Sequence, residues 1–189
     1  MTKYETKALD ANTWPDFVRL VDANGGVWGG CWCMWYHGPD KSIDDSPASK
    51  RKAKERLVRE GRAHASLVFD GTECVGWCQF GSPIELSRIH NERAYLATHP
   101  TPPDWRITCF FSGKGYRGKG VASAALKGAV AQISKLGGGR IEGYPEDTEG
   151  RKASPAFLFN GALSTFERLG FERLRLIGKN KWVVTRTVS

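Results

Sequence analysis

Absences narrow the possibilities first. No run approaches the roughly 18 apolar residues of a membrane-spanning helix, so no membrane role is expected. The opening residues, Met1-Thr2-Lys3-Tyr4-Glu5-Thr6-Lys7, hold no apolar stretch of the secretory kind, and a cytoplasmic location is the expectation. The five cysteines are an odd number and scattered, apart from Cys31 and Cys33. Reduced thiols are expected rather than a disulfide framework. There is no internal repeat, low-complexity tract, arginine-rich tail or zinc-finger spacing. Specific nucleic-acid binding therefore has little support, although the formal net charge of +8 suits an anionic ligand or an acidic partner.

With 189 residues and 40% hydrophobic content, one domain over 1–189 with a real core is expected. Part of the charge is local. Residues 50–62 carry seven cations against Glu55 and Glu60, at helical spacing that reads as a solvated face.

The chain then reads in order. A strand lies near residues 4–9. Thr13-Trp14-Pro15-Asp16 reads as a helix start with Thr13 at the cap, and Asn24-Gly25-Gly26 stops that helix. Trp28, Trp32 and Trp35 follow at i, i+4, i+7, a helical stripe that Gly29 and Gly30 argue against. They fit an aromatic pocket wall or plain core packing. Cys31, Cys33 and His37 could ligate a metal, but the one-residue gap and the missing second pair leave none expected. Ser46-Pro47 opens a helix that Gly61 ends. Residues 63–69 and 73–80 are two strands joined at Asp70-Gly71. Residues 82–103 read as a long loop with one helical turn. Residues 105–111 are an apolar strand and residues 140–144 a short one. Residues 145–155 are turn-rich. Phe159, Ala162, Leu163, Phe166 and Leu169 form a helical face, and strands near 171–177 and 181–188 close the chain.

Between the strand at 105–111 and a helix starting at Val121 stands Ser112-Gly113-Lys114-Gly115-Tyr116-Arg117-Gly118-Lys119-Gly120. It is rich in glycine and cations and contains no acid. Such a turn suits a phosphorylated ligand, because glycines admit oxygens close to the backbone and the helix start offers free N–H groups. Three motifs overlap here. Gly113-x-Gly115-x-x-Gly118 fits a dinucleotide fingerprint, with Glu142 at a tolerable distance for the ribose acid. Gly113-x-x-x-x-Gly118-Lys119 fits a Walker loop, but Gly120 stands where a magnesium-holding hydroxyl is needed. The third is Arg117-x-x-Gly120-x-Ala122. The flanks decide: an antiparallel hairpin precedes the turn, and only one helix and a hairpin follow residue 144, unlike a doubly wound domain.

The third motif resembles the pyrophosphate-binding signature of the GNAT acyltransferase superfamily. Phe166-Glu167-Arg168-Leu169-Gly170-Phe171 resembles the close of that family's last helix, and the order of elements matches over roughly residues 4–188. The resemblance implies an α/β (α+β) fold: a mixed sheet of about seven strands, splayed between strands 4 and 5 and flanked by about four helices. It implies acetyl-CoA as co-substrate, held by Phe110, Phe111, Ser112, Arg117, Gly118, Lys119, Gly120, Val121, Ala122 and Phe166. The implied activity is direct transfer of the acetyl group to a primary amine of a small molecule. A protein amine and a non-catalytic acyl-CoA-binding module are the alternatives, in a monomer or homodimer.

Two departures stand out. Phe166 occupies the place of a tyrosine thought to protonate the leaving thiolate, and Asn160 is one residue off the family's helix-start asparagine. The proton work is therefore assigned to Glu142 as base and Tyr144 as acid, two residues apart on one face of a strand. Glu85 and His90 are the other candidate bases, and Cys109 an alternative nucleophile. Trp28, Trp32, Trp35 and Glu85 are the expected acceptor-binding residues.

Overall fold

The computed structural model describes residues 4–40, 43–150 and 155–189. Part of the turn-rich stretch, residues 151–154, and the first three residues lie outside the described residues. Seven strands are β1 (Glu5–Ala8), β2 (His64–Asp70), β3 (Glu73–Gly81), β4 (Trp105–Ser112), β5 (Gly139–Gly143), β6 (Glu172–Leu176) and β7 (Trp182–Val188). Helices are α1 (Trp14–Ala23), α2 (Val27–Gly30), α3 (Pro47–Arg59), α4 (Glu92–Leu96), α5 (Val121–Lys135) and α6 (Leu163–Glu167). No described helix is long and apolar enough to cross a membrane.

The strands form one mixed sheet in the order β1-β2-β3-β4-β5-β7-β6. β4 and β5 run parallel, and the other neighbours antiparallel. α1 packs on one face with Trp14, Phe17, Leu20 and Val21 buried, and α5 on the other with Ala125, Leu126, Ala129 and Ile133. Six helices stand where about four were expected, because two single turns, α2 and α4, count among them.

The expected splay between strands 4 and 5 is present. Pairing is Trp105–Ile141, Arg106–Glu142 and Ile107–Gly143, after which β4 continues to Ser112 while β5 ends. The cause is local. Past Gly143, residues 161–163 take the edge that β4 leaves: Glu146 N–H donates to Gly161 O (3.0 Å) and Leu163 N–H to Glu146 O (2.9 Å). The Phe166 ring also packs so tightly on Gly143 that a Cβ there would lie 2.3 Å from its Cε1. Phe166 is fully buried, edge-on to Phe110 and Phe171. One residue past the last pair, β4 bulges: Ile107 faces Phe80 and Phe110 faces Cys78, so Thr108 and Cys109 together oppose Gln79.

Local details differ from the sequence reading in two places. Thr13 stands at the N-cap of α1 as expected, but its side chain caps no helix N–H. Its hydroxyl donates to Ala8 O (2.7 Å), and the Asp10 carboxylate instead accepts the N–H groups of Asn12 and Thr13. Residues 25–30 all have positive φ, including Val27 (44°) and Trp28 (51°), so the tryptophan stripe of a right-handed helix does not form. The cations of α3 are largely paired, as in Lys50–Asp45 (3.3 Å), Arg56–Asp40 (3.3 Å) and Arg59–Glu55 (2.8 Å). That face is a solvated ion-pair surface of small energetic weight.

Gly143→Ala should lower stability by about 2–3 kcal/mol through overpacking against Phe166, seen as a Tm drop of roughly 5–10 °C. Phe166→Leu in the same chain makes room, so the double variant should lose less than the sum of the singles. Strictly additive losses in thermal melts would show that the two side chains do not compete for one space.

Candidate active site at the strand fork

The glycine turn takes the expected place between β4 and α5. Gly115, Gly118 and Gly120 have φ of 83°, 73° and 87°, a backbone that suits glycine. Its ends are anchored: Gly113 N–H donates to Val75 O (2.8 Å) and Lys114 N–H to Asn24 Oδ1 (3.2 Å). Among the described residues no acceptor meets the N–H of Gly118, Gly120, Val121 or Ala122. No carboxylate there pairs with Lys114, Arg117 or Lys119. Open amides at a helix start beside free cations form a cradle for a phosphate.

A cavity of about 430 Å³ runs from this turn along the unpaired edge of β4. Phe110, Phe111, Ser112, Arg117, Gly118 and Ala122 line it. Lys119 and Gly120 lie on the turn beside it, Val121 is buried below, and Phe166 is buried behind Phe110. Trp28, 57% exposed, forms part of the opposite wall. Phe159 and Gly161 close the end away from the turn.

At that end a polar knot spans the fork. Asn160 is buried and donates through Nδ2 to Tyr36 Oη (2.8 Å) and to Thr108 O in the bulge. Its Oδ1 accepts from Lys181 Nζ (3.0 Å), which also faces Glu146 (3.6 Å). Tyr36 Oη accepts from Asn160 and finds no acceptor for its own proton among the described residues. Burial pushes this phenol well up, so it stays protonated at neutral pH.

Next to the knot, His90 stacks on Trp35 (4.2 Å between centroids, 12°) and leans on Phe159 (4.9 Å) and Tyr36 (5.8 Å). The Arg88 guanidinium lies over the Trp35 ring at 5.4 Å. Burial, helped by the Lys181 charge, pulls His90 below its ordinary value of 6.5 and leaves a neutral imidazole at neutral pH. No described residue hydrogen-bonds either of its ring nitrogens.

The other sequence candidates lie elsewhere. Glu142 is fully buried, and its carboxylate accepts from Tyr95 Oη (2.8 Å), Arg140 Nη1 (2.8 Å) and Tyr144 Oη (3.3 Å). Burial pushes Tyr144 up, and Glu142 and Tyr144, like Tyr36 and His90, are not part of the cavity lining. Glu85 bonds His64 (3.3 Å) and the Ser82 N–H (2.8 Å), closing a turn. Burial alone would raise Glu85, but these hydrogen bonds outweigh it and hold it low. Trp32 is only 4% exposed and packs on Trp14 and Phe17, whereas Trp35 is 41% exposed. Cys109 is buried in the bulge. Among the described residues no cluster of three or more His, Cys, Asp or Glu is placed to hold a metal.

Tyr36, Tyr95 and Lys181 were missed in the sequence. Tyr36 sits inside the aromatic stretch, where the tryptophans drew the eye. Tyr95 and Lys181 carry no local signal.

No family model matches the sequence, and no curated protein matches it. Solved structures do. A Corynebacterium glutamicum protein described as a histone acetyltransferase and related acetyltransferase is 18% identical, with TM-score 0.55 over 100% of this chain and 98% of that one. A GNAT-family acetyltransferase of Streptococcus pneumoniae is 10% identical, with TM-score 0.54 over 98% and 99%. An N-acetyltransferase of Thermoplasma acidophilum, solved with coenzyme A, is 13% identical, with TM-score 0.50 over 97% and 98%. At these identities the likeness is one of architecture, and this chain has the fold of the GNAT acetyltransferases.

Proposed function

We propose that this protein transfers the acetyl group of acetyl-CoA to the nitrogen of an amine by direct attack, with a small molecule as acceptor. The observation that carries the reading is the fork itself: β4 parts from a parallel neighbour after Ile107, and a cavity follows its free edge to the open amides of the glycine turn. The donor set fits a pyrophosphate at the turn, with Arg117 adding charge, and an amide-bearing arm along Phe110–Ser112. Acetyl-CoA supplies the activated thioester. A coenzyme A complex of a protein with this fold supports the same cofactor.

The proton work belongs to groups whose valence is open. Glu142 already takes three donors. His90 is neutral, half-exposed and one ring beyond Phe159, which makes it the base that takes the proton of the incoming amine. Tyr36 holds a proton with no acceptor among the described residues and serves as the acid, the part that Phe166 lacks. The knot from Lys181 through Asn160 keeps that hydroxyl oriented. The Phe166 substitution favours a second reading, a module that binds acyl-CoA without transfer. Release of free thiol from acetyl-CoA with a panel of small amines tests the choice: tight binding with no release from any amine would leave the module.

Gly120→Ala forces a side chain into φ near +87°. Distortion of the turn should weaken acetyl-CoA binding about tenfold or more in calorimetry, as a left-handed alanine costs about 1–2 kcal/mol. Arg117→Ala should weaken it further at low salt than at high salt. A folded Gly120→Ala protein that binds with parental affinity would remove the turn from the cofactor site.

His90→Gln should lower kcat by about 10²-fold and abolish the acidic limb of the pH–rate profile. In the parent that limb should fall below pH 6.5, because burial lowers the imidazole and activity is lost only when it protonates. Tyr36→Phe should lower kcat and spare acetyl-CoA affinity. If His90→Gln keeps the limb while chemistry is rate-limiting, the base lies elsewhere.

A further inference from the structure

Three of the five cysteines meet away from the cavity. Cys33 Sγ lies 3.0 Å from Cys109 Sγ, both buried, one on the loop after α2 and the other in the β4 bulge. Cys31, half-buried, accepts the N–H of Cys33 on its sulfur (3.2 Å). Beside them Lys54 is only 1% exposed and reaches His37 Nε2 (3.1 Å) and Gln79 Oε1 (3.4 Å). No described carboxylate pairs with Lys54, and burial pulls its amine below the usual lysine range.

We propose that Cys31, Cys33 and Cys109 form a thiol–disulfide exchange centre that takes low-mass disulfides of the glutathione class and stores the oxidation as a Cys33–Cys109 bond. Cys31 is the entry point because it alone of the three is not buried. Its sulfur attacks RSSR to give a Cys31 mixed disulfide, and the first RSH leaves with the proton Cys31 gives up. Cys33 then displaces the second RSH, forming Cys31–Cys33. Cys109 attacks Cys33, the Cys33–Cys109 bond forms, and Cys31 returns as a thiol carrying the proton of Cys109. In sum two protein thiols are oxidised and one RSSR is reduced to two RSH. Burial and thiol–thiol hydrogen bonding push Cys31 and Cys33 up and hold them protonated, so exchange takes minutes to hours. The bond would tie the loop of Trp35 and Tyr36 to the strand that walls the cavity through Phe110. The inference stands on the thiol geometry and is independent of acyl transfer.

The test is incubation of the native protein with millimolar oxidised glutathione, followed by alkylation of remaining thiols and peptide mapping. The expected product has lost two alkylatable thiols, carries a Cys33–Cys109 crosslink, regains both thiols with dithiothreitol and melts roughly 5–10 °C higher. Cys31→Ser should form the same crosslink about tenfold more slowly. Five alkylatable thiols after hours of oxidant, or a crosslink confined to Cys31–Cys33 or to Cys74 or Cys78, would overturn the proposal. An unchanged rate in Cys31→Ser would overturn the entry route.

Discussion

The parting of β4 from β5 is the constraint on which the site depends. A parallel pair normally extends as far as both strands run, since each further residue adds backbone hydrogen bonds. Here the ladder stops because Phe166 fills the space at Gly143 and residues 161–163 pair with Glu146 where β4 would otherwise continue. Five residues of β4, Thr108 to Ser112, thereby lose their β5 partners. Buried backbone groups left this way are destabilising unless satisfied. Asn160 meets one of them, the Thr108 carbonyl, and the free edge beyond it borders the cavity. A wedge of apolar packing thus creates a polar vacancy along a strand, which suits a ligand with amide groups of its own.

The fork is held from both sides by buried polar groups. On the paired side, Arg140, Tyr95 and Tyr144 converge on Glu142, and Arg106 donates to the carbonyls of Leu86 (2.7 Å) and Ser87 (3.2 Å). Those contacts pin the long loop 82–103 to the sheet and so place His90. Arg88 N–H donates to Tyr36 O (3.2 Å), joining that loop to the one carrying the tryptophans. Such networks are costly when half satisfied, which favours one arrangement of the two loops over many.

Much of the architecture was legible because it rests on short-range patterns. The turn at residues 112–120, the apolar stripe of α5 and the Ser46-Pro47 start each carry their signal within a few residues. The order of strands followed from the resemblance those patterns carried. What was not legible depends on pairs distant in sequence. Thr13 holds the cap position of α1, and only the distant Ala8 O turns its hydroxyl away from the helix amides. The spacing of Trp28, Trp32 and Trp35 suggested one stripe, but periodicity presumes a right-handed backbone, and residues 25–30 turn the other way. The contact of Gly143 with Phe166 and that of Asn160 with Tyr36 span 23 and 124 positions, and no local pattern announces either.

Hydrogen-bond accounting separates scaffold from chemistry at the fork. Glu142 and Tyr144 are the residue types one would choose for proton transfer, yet their polar atoms bond to one another and to Arg140 and Tyr95. Moving a proton there would break a satisfied network. His90 and Tyr36 are the reverse case. Among the described residues the imidazole nitrogens and the phenolic proton have no partner, although packing fixes both rings through Trp35, Phe159 and Asn160. A buried or half-buried polar group left open while its ring is held rigid is destabilising on its own account. Such a group is compensated only when something else completes it, and a substrate amine and a leaving sulfur are suited to do so. The unfilled hydrogen bonds, more than the identity of the residues, are what the proposed proton roles of His90 and Tyr36 rest on.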